Sequence, residues 1–241
     1  MLNLDGLDIR QGGFRLTASW SIPPGARIAI IGPSGAGKST LLSVIGGFFA
    51  PFAGRTLWAG QDITRKAPGK RPITTLFQDQ NLFPHLTLAQ NVGLGIDPSL
   101  RLTASDHARV EGALVRVGLA GMATRRPSEL SGGQQSRAAL ARTLLRDRPV
   151  LLLDEPFAAL GPALKAEMLA LVGEIAIQAG TTVLMVTHDP ADARRFAPQT
   201  CLVADGTAAT PVATGSLLDD PPPALEAYLG TPGGRPPGST P

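Results

Sequence analysis

The sequence predicts an α/β fold with a mostly parallel sheet, an N-terminal antiparallel β layer and an inserted helical subdomain. Short apolar runs rich in β-branched residues alternate with longer stretches of helical periodicity, and Gly, Pro or Asp residues bound most of the runs. Because parallel strands are joined by crossovers that usually contain a helix, this alternation favours a parallel sheet that is covered on both faces.

Each predicted element follows from its own pattern. The predicted parallel strands are the apolar runs Arg27–Ile31, Ile73–Leu76, Val150–Leu153, Thr181–Val186 and Cys201–Ala204. Helical patterns separate most of these runs, at Lys38–Ile45, Ala104–Val117, Gln134–Arg146 and Pro162–Gln178. The predicted antiparallel layer consists of Leu2–Asp8, Arg15–Ile22 and Arg55–Trp58.

Two changes in pattern along the chain set its predicted organisation. Residues 79–146 contain several helical patterns and little strand signal, so we expect the helical subdomain there. The last 23 residues hold 7 Pro and 4 Gly, which predicts a largely disordered tail over residues 219–241. The remainder, residues 1–218, is predicted to be a single domain.

The composition excludes several classes of protein. The 241 residues are 43% hydrophobic, which is enough to bury a sizeable core and excludes wholesale disorder. The net charge of +3 comes from scattered Lys and Arg residues, so a nucleic-acid surface is not expected. The single cysteine, Cys201, excludes an internal disulfide and fits a reducing compartment. With Asp5 and no long apolar core near the N-terminus, we expect no signal peptide, and we also expect no membrane span, which requires a run of about 18 apolar residues.

The clearest motif is a glycine-rich loop between the strand RIAII and the helix KSTLLSVIGG, which satisfies G-x4-G-K-[ST]. Such a loop turns successive backbone N–H groups toward phosphate oxygens at the positive end of a helix. Lys38 can reach the β- and γ-phosphates, and the Ser39 hydroxyl can bind Mg²⁺. The predicted ATP-binding residues are Gly32, Pro33, Ser34, Gly35, Ala36, Gly37, Lys38, Ser39 and Thr40.

A second motif places two carboxylates at the end of the apolar strand VLLL. Asp154 is positioned to hold Mg²⁺, directly or through water. Glu155 is then free to polarise an attacking water, as a general base does in phosphoryl transfer. Together with the glycine-rich loop, this pair predicts hydrolysis of a nucleoside triphosphate rather than binding alone.

A third motif is a second anion-binding helix terminus, in the sequence LSGGQ. Ser131 is expected to cap this helix, with the backbone N–H groups of the two glycines exposed at its positive end. One nucleotide cannot easily contact two such termini of one chain, so we expect two chains head to tail, each offering this end to the ATP of the other. The predicted contacts to the second nucleotide are Ser131, Gly132, Gly133 and Gln134.

Taken together, these motifs resemble the ATP-binding-cassette (ABC) ATPases, which implies the P-loop NTPase fold of that family. The resemblance implies roles for two further residues: Gln78, in LFQDQ, would sense Mg²⁺ and the water, and His188, in VTHD, would contact the γ-phosphate. The implied catalytic residues are Lys38, Gln78, Glu155 and His188, and the implied Mg²⁺ ligands are Ser39, Gln78 and Asp154.

More narrowly, LFQDQNLFPHLTLAQNVGLG (residues 76–95) and LVADG resemble the ATPase subunits of bacterial thiamine importers. The resemblance implies a peripheral subunit at the cytoplasmic face of the bacterial inner membrane that couples ATP hydrolysis to uptake of thiamine or thiamine phosphates. Its implied partners are two permease halves, an extracytoplasmic substrate-binding protein and a second copy of itself. Two alternatives stay open: an importer ATPase for iron, sulfate or a polyamine, and a soluble ABC ATPase without a transport role.

The chain departs from the family pattern in two places. The loop after the catalytic glutamate usually reads SALD in the family, but here it ends in Gly161, so an aspartate is missing. The aromatic residue that stacks on adenine in the family is also not obvious. Phe14 is the candidate, while Gln11 is the alternative occupant of the family position.

Overall fold

One mixed sheet runs through the protein. The computed structural model describes residues 1–77 and 82–229, and within them eleven strands pair into this sheet. The strands are β1 Leu2–Gln11, β2 Phe14–Ile22, β3 Arg27–Ile31, β4 Ala53–Trp58, β5 Gln61–Asp62, β6 Ile73–Leu76, β7 Val150–Asp154, β8 Thr182–Val186, β9 Gln199–Ala204, β10 Thr207–Ala208 and β11 Val212–Ala213.

Helices cover the sheet and form the insertion. They are α1 Lys38–Gly46, α2 Leu88–Gly93, α3 Ala104–Arg116, α4 Gly132–Leu145, α5 Pro162–Ala179, α6 Pro190–Phe196, α7 Thr214–Asp219 and α8 Pro223–Leu229. None of the helices in residues 1–77 and 82–229 is both long and apolar enough to cross a bilayer.

The parallel half of the sheet has the strand order β6-β7-β8-β3-β9. Ile30 pairs with Val186, and Val186 pairs with Asp154, so the carboxyl ends of β3, β8 and β7 lie side by side. Every residue of β7 and β8 is buried, which explains why these strands are continuous apolar runs without alternation. This edge carries the predicted site.

The antiparallel half confirms the predicted β layer. β1 pairs with β2 and β4, and the two-residue strand β10 joins β2 to β9 and so to the parallel half. The Trp20 indole donates a hydrogen bond to the Ala208 carbonyl (3.1 Å) across this junction, and the ring is buried. Trp20 is therefore a packing residue that holds the two halves of the sheet together.

The inserted helices α2, α3 and α4 each begin with a capping box, at Thr87, Thr103 and Ser131. The segment before α2 is held by the buried Asn91, whose amide oxygen accepts from the Phe83 N–H (2.7 Å) and whose amide nitrogen donates to the Phe83 carbonyl (3.1 Å). Within the described residues, the chain between β6 and β7 contains α2, α3 and α4 and no strand.

The chain beyond residue 218 differs from the prediction of a disordered tail. Residues 223–229 form α8, and the Leu225 side chain is completely buried in the core beneath it. Proline suits the first turn of a helix because its missing N–H would be unpaired there. Of the prolines that signalled disorder, Pro221 and Pro222 precede α8 and Pro223 starts it. Residues 230–241 lie outside the described residues.

Candidate active site

The glycine-rich loop connects β3 to α1 as predicted, and two of its glycines are sterically required. A Cβ on Gly32, whose φ is +150°, would lie 2.0 Å from the Val203 carbonyl oxygen. A Cβ on Gly37, whose φ is +99°, would lie 2.3 Å from Cζ of Phe14. The Val203 carbonyl on β9 and the Phe14 ring leave no room for a Cβ at these two positions, and both positions have a φ that favours glycine.

Lys38 lies folded over this loop. Its ammonium group donates to the Gly32 and Pro33 carbonyls (both 2.8 Å), and the side chain is largely buried. Burial lowers the pKa of Lys38, while the negative charges of Glu155 and Asp154 oppose that shift. The lysine is thus held beside the loop amides that an anion would contact.

Asp154 ends β7 and meets Ser39, the second residue of α1. The Ser39 hydroxyl donates to Oδ1 of Asp154 over 3.0 Å, and the carboxylate is buried. Burial raises the pKa of Asp154 and the nearby Glu155 carboxylate raises it further, whereas the hydrogen bond from Ser39 and the charge of Lys38 lower it. A carboxylate and a hydroxyl side by side are hard oxygen donors of the kind that Mg²⁺ prefers, so these residues fit that ion.

Glu155 and His188 face each other at the ends of β7 and β8. Oε2 of Glu155 lies 3.2 Å from Nδ1 of His188, and the imidazole is more exposed than the carboxylate. Glu155 has a φ of +46°, which is uncommon for a residue other than glycine, and its N–H donates to the Val186 carbonyl (3.2 Å). At this turn the Glu155 carboxylate contacts His188.

The segment around His188 is held by residues that the sequence analysis did not identify. Lys165 on α5 donates to Oδ2 of Asp189 (2.8 Å) and lies 2.9 Å from Oδ2 of Asp192. Burial lowers the pKa of Lys165, but its hydrogen bonds to the two carboxylates outweigh that effect and the net shift is upward. Lys165 is more than twenty residues from both aspartates in sequence, so no local pattern could have paired it with them.

The predicted second anion site lies at the start of α4. Ser131 Oγ accepts from the Gln134 N–H (3.3 Å), and Gln134 Oε1 accepts from the Ser131 N–H (2.9 Å). A Cβ on Gly133 would lie 3.0 Å from Leu160, in the loop that follows β7. The nearest side chains to this position are Leu160 and, on α5, Leu164, so Gly133 faces the segment that follows Glu155.

The structure describes the two candidates for contact with adenine, Phe14 and Gln11, but not Gln78. Phe14 packs against Gly37, beside the glycine-rich loop, and Gln11 is its register partner in the β1–β2 hairpin and is exposed. Either residue therefore lies at the hairpin that adjoins the loop. Gln78 lies outside the described residues.

The comparisons with known proteins agree with this geometry. The model of the "ABC transporter" family matches residues 16–158, which include the glycine-rich loop, the LSGGQ motif and both carboxylates. A protein of Cereibacter sphaeroides named "Thiamine import ATP-binding protein ThiQ" is 67% identical over 230 residues, which are 95% of this chain and all of that protein. A protein of Ruegeria sp. with the same name is 60% identical over the same shares of both chains.

A solved structure extends the comparison to the fold. The dimeric, post-hydrolysis ATP-binding cassette MJ0796 bound to ADP and Pi superposes with a TM-score of 0.79 and 29% identity, covering 89% of this chain and 99% of that one. The predicted fold class and the prediction of an ATP-hydrolysing enzyme are confirmed. The chain belongs to the ABC transporter family, as one of its ATP-hydrolysing cassettes.

Proposed function

We propose that this chain is the ATPase subunit of a thiamine importer. The hydrolytic part of the proposal depends on one observation, the Glu155 carboxylate beside His188 at the strand edge that also carries Lys38, Ser39 and Asp154. The cargo depends on the relatives named thiamine import ATP-binding proteins, which this chain matches at 67% and 60% identity over their full length.

In this proposal each site residue of one chain has a separate role in phosphoryl transfer. The loop amides and Lys38 bind the β- and γ-phosphates, and Ser39 and Asp154 hold Mg²⁺, joined by Gln78. Bound Mg²⁺ would offset negative charge on the phosphates. Glu155 accepts a proton from the attacking water as general base, and His188 orients the γ-phosphate. The 3.2 Å separation of Glu155 and His188 keeps both groups within reach of one water.

A second copy of the chain completes the site in this proposal. The start of α4 offers Ser131 and the N–H groups of Gly132 and Gly133, and a nucleotide held by a partner chain would approach this terminus. The MJ0796 cassette, which superposes with a TM-score of 0.79, is dimeric, and this supports the participation of a second copy. The adenine would lie near the β1–β2 hairpin, where Phe14 is the aromatic candidate for stacking and Gln11 is the alternative.

The proposed membrane partners are two permease halves, supplied by an extracytoplasmic substrate-binding protein, with this chain at the cytoplasmic face of the bacterial inner membrane. A groove of about 430 Å³ beside the insertion is lined by Phe77, Phe83, Leu94 and Pro98, and also by the polar residues Thr74, Thr75, Thr143, Arg142 and Arg146. Phe83 is 46% exposed, whereas Leu82 packs against the core. A groove that combines apolar side chains with two arginines suits the helical segment of a permease.

The uptake of labelled thiamine tests this proposal in cells that lack the chain. We expect wild type to restore uptake at limiting thiamine and Glu155→Gln to restore none, because the variant lacks the proposed general base. Uptake of iron, sulfate and polyamine is measured in the same cells as the control for cargo. Thiamine uptake that survives deletion of the chain, together with loss of one control solute, would overturn thiamine as the cargo and identify another.

Gly161→Asp tests the missing aspartate of the loop after β7. Gly161 is the N-cap of α5 without a side-chain cap, and a Cβ there would meet nothing within 4 Å. We therefore expect the aspartate to fit, to cap α5 and to raise the free energy of unfolding by a few tenths of a kcal/mol, roughly the difference between Asp and Gly caps. Thermal unfolding measures this change, and Gly161→Ala, which adds a Cβ but no capping oxygen, is the control.

Gly161→Asp is also expected to change the rate of ATP hydrolysis. The family aspartate contributes to the dimer interface, so we expect Gly161→Asp to raise the ATPase rate that the permease stimulates. Phosphate release in the reconstituted complex measures this rate. An unchanged stimulated rate in a stably folded variant would contradict the expectation.

A further inference from the structure

The main-chain carbonyl of His188 has a partner from the far end of the chain. The Tyr228 hydroxyl, on α8, donates a hydrogen bond to this carbonyl over 2.8 Å. The two residues are 40 positions apart, and Tyr228 is the single tyrosine of the sequence. Helix α8 therefore contacts the backbone of the residue proposed to orient the γ-phosphate.

The surroundings of Tyr228 keep its hydroxyl in the donor form. Burial raises the pKa of Tyr228, and the carboxylates of Glu155 and Asp189 raise it further because they disfavour a third negative charge nearby. A tyrosine hydroxyl is already protonated in the neutral range, and the upward shift of its pKa keeps it a hydrogen-bond donor there.

The helix that carries Tyr228 is anchored to the core. Leu225 is completely buried, and the Pro222 carbonyl accepts from the Leu225 N–H (2.8 Å) and the Glu226 N–H (2.9 Å) at the start of α8. Tyr228 and Leu229 pack against the same core. The helix can therefore resist movement of the carbonyl that it holds.

The residues on either side of His188, Thr187 and Asp189, are held by a separate set of polar contacts. Thr187 Oγ1 donates to Asp192 (3.1 Å) and accepts from the Asp189 N–H (3.1 Å), while Lys165 binds the carboxylates of Asp189 and Asp192. These contacts hold the residues that flank His188. Among the described residues, Tyr228 is the group that binds the His188 carbonyl itself, and this bond limits rotation of the peptide that follows His188.

We propose that Tyr228 is a positioning residue for ATP hydrolysis: α8 holds the His188 backbone so that the imidazole stays beside Glu155. The docking of α8 would then adjust turnover without contact between this helix and the nucleotide. This inference rests on the proposed role of His188 and goes beyond it, and it is independent of the cargo.

Tyr228→Phe is the direct test, because it removes only the hydroxyl and leaves the packed ring. We expect kcat for ATP to fall about three- to tenfold, the range that one hydrogen bond supplies, with KM for ATP and the nucleotide Kd changed by less than about twofold. Glu226→Gln, an exposed position on the same helix, is the control and should keep the wild-type kcat. Leu225→Ala, which loosens the whole helix, should lower kcat at least as much as Tyr228→Phe.

A spectroscopic measurement separates positioning from a general loss of structure. The chain has 3 histidines, so the ring resonances of His85 and His107 serve as internal references for that of His188, which His188→Gln assigns. We expect Tyr228→Phe to shift or broaden the His188 resonance alone. A wild-type kcat in Tyr228→Phe, beside an inactive His188→Gln, would overturn the role of Tyr228 only. An active His188→Gln would overturn the proposed role of His188 as well.

Discussion

Replacing Glu155 by glutamine is expected to lower kcat for ATP by about 100-fold or more, the usual contribution of a general base. The amide keeps the size of the side chain and its contact distance to Nδ1 of His188, which is 3.2 Å in the wild type. It cannot accept the proton of the attacking water. Phosphate release in a single-turnover assay measures the loss directly.

The same variant should trap a dimer. ATP binding does not require the proton transfer, so Glu155→Gln is expected to bind ATP and remain closed with a second copy, whereas wild type hydrolyses the nucleotide and reopens. Light scattering after size exclusion at millimolar ATP measures the mass. Glu174→Gln, on the exposed face of α5, is the matched control and should behave as wild type. A monomeric Glu155→Gln under these conditions would contradict the head-to-tail arrangement.

Replacing Lys38 by alanine is expected to abolish ATP binding at micromolar nucleotide. The variant removes the buried cation that lies over the loop, with its hydrogen bonds to the Gly32 and Pro33 carbonyls. Charged hydrogen bonds to two phosphates contribute about 1.5–3 kcal/mol each, so we expect the nucleotide Kd to rise by about 100-fold or more. Titration with a fluorescent ATP analogue measures the Kd.

The exposed Lys70 provides the control for the loss of ATP affinity in Lys38→Ala. Lys70→Ala removes the same charge from a solvated position and should leave the Kd unchanged. Circular dichroism of Lys38→Ala should match wild type, because α1 begins at this residue but its buried face is formed by Leu41, Leu42, Val44 and Ile45. A folded Lys38→Ala with wild-type affinity would remove this lysine from the phosphate site.

The sequence alone determined the elements and motifs that depend on local patterns. The predicted strands Arg27–Ile31 and Ile73–Leu76 coincide with β3 and β6, because short runs of buried parallel strand are continuous in β-branched residues. Helix α4 begins at Gly132 rather than at the predicted Gln134, because the capping box at Ser131 offsets the low helix propensity of the two glycines.

The strand–loop–helix context of the candidate phosphate residues was also predictable. A phosphate-binding loop demands particular residue types at fixed spacing, and that spacing is visible in one segment of sequence. The parallel register then brings the ends of β3, β7 and β8 to one edge, and a prediction of parallel strands already implies this meeting of Lys38, Asp154 and His188.

Only the tertiary structure decided how His188 is held. Lys165 reaches Asp189 and Asp192 across 24 and 27 residues of sequence, and Tyr228 reaches the His188 carbonyl across 40. Nothing in local periodicity or composition pairs such groups, since each contact depends on where two separate helices dock. Helix α8 was predicted as part of a disordered tail over residues 219–241 for a similar reason. The segment has the Pro- and Gly-rich composition of a disordered chain, and the buried site that Leu225 fills exists only once the rest of the chain has folded.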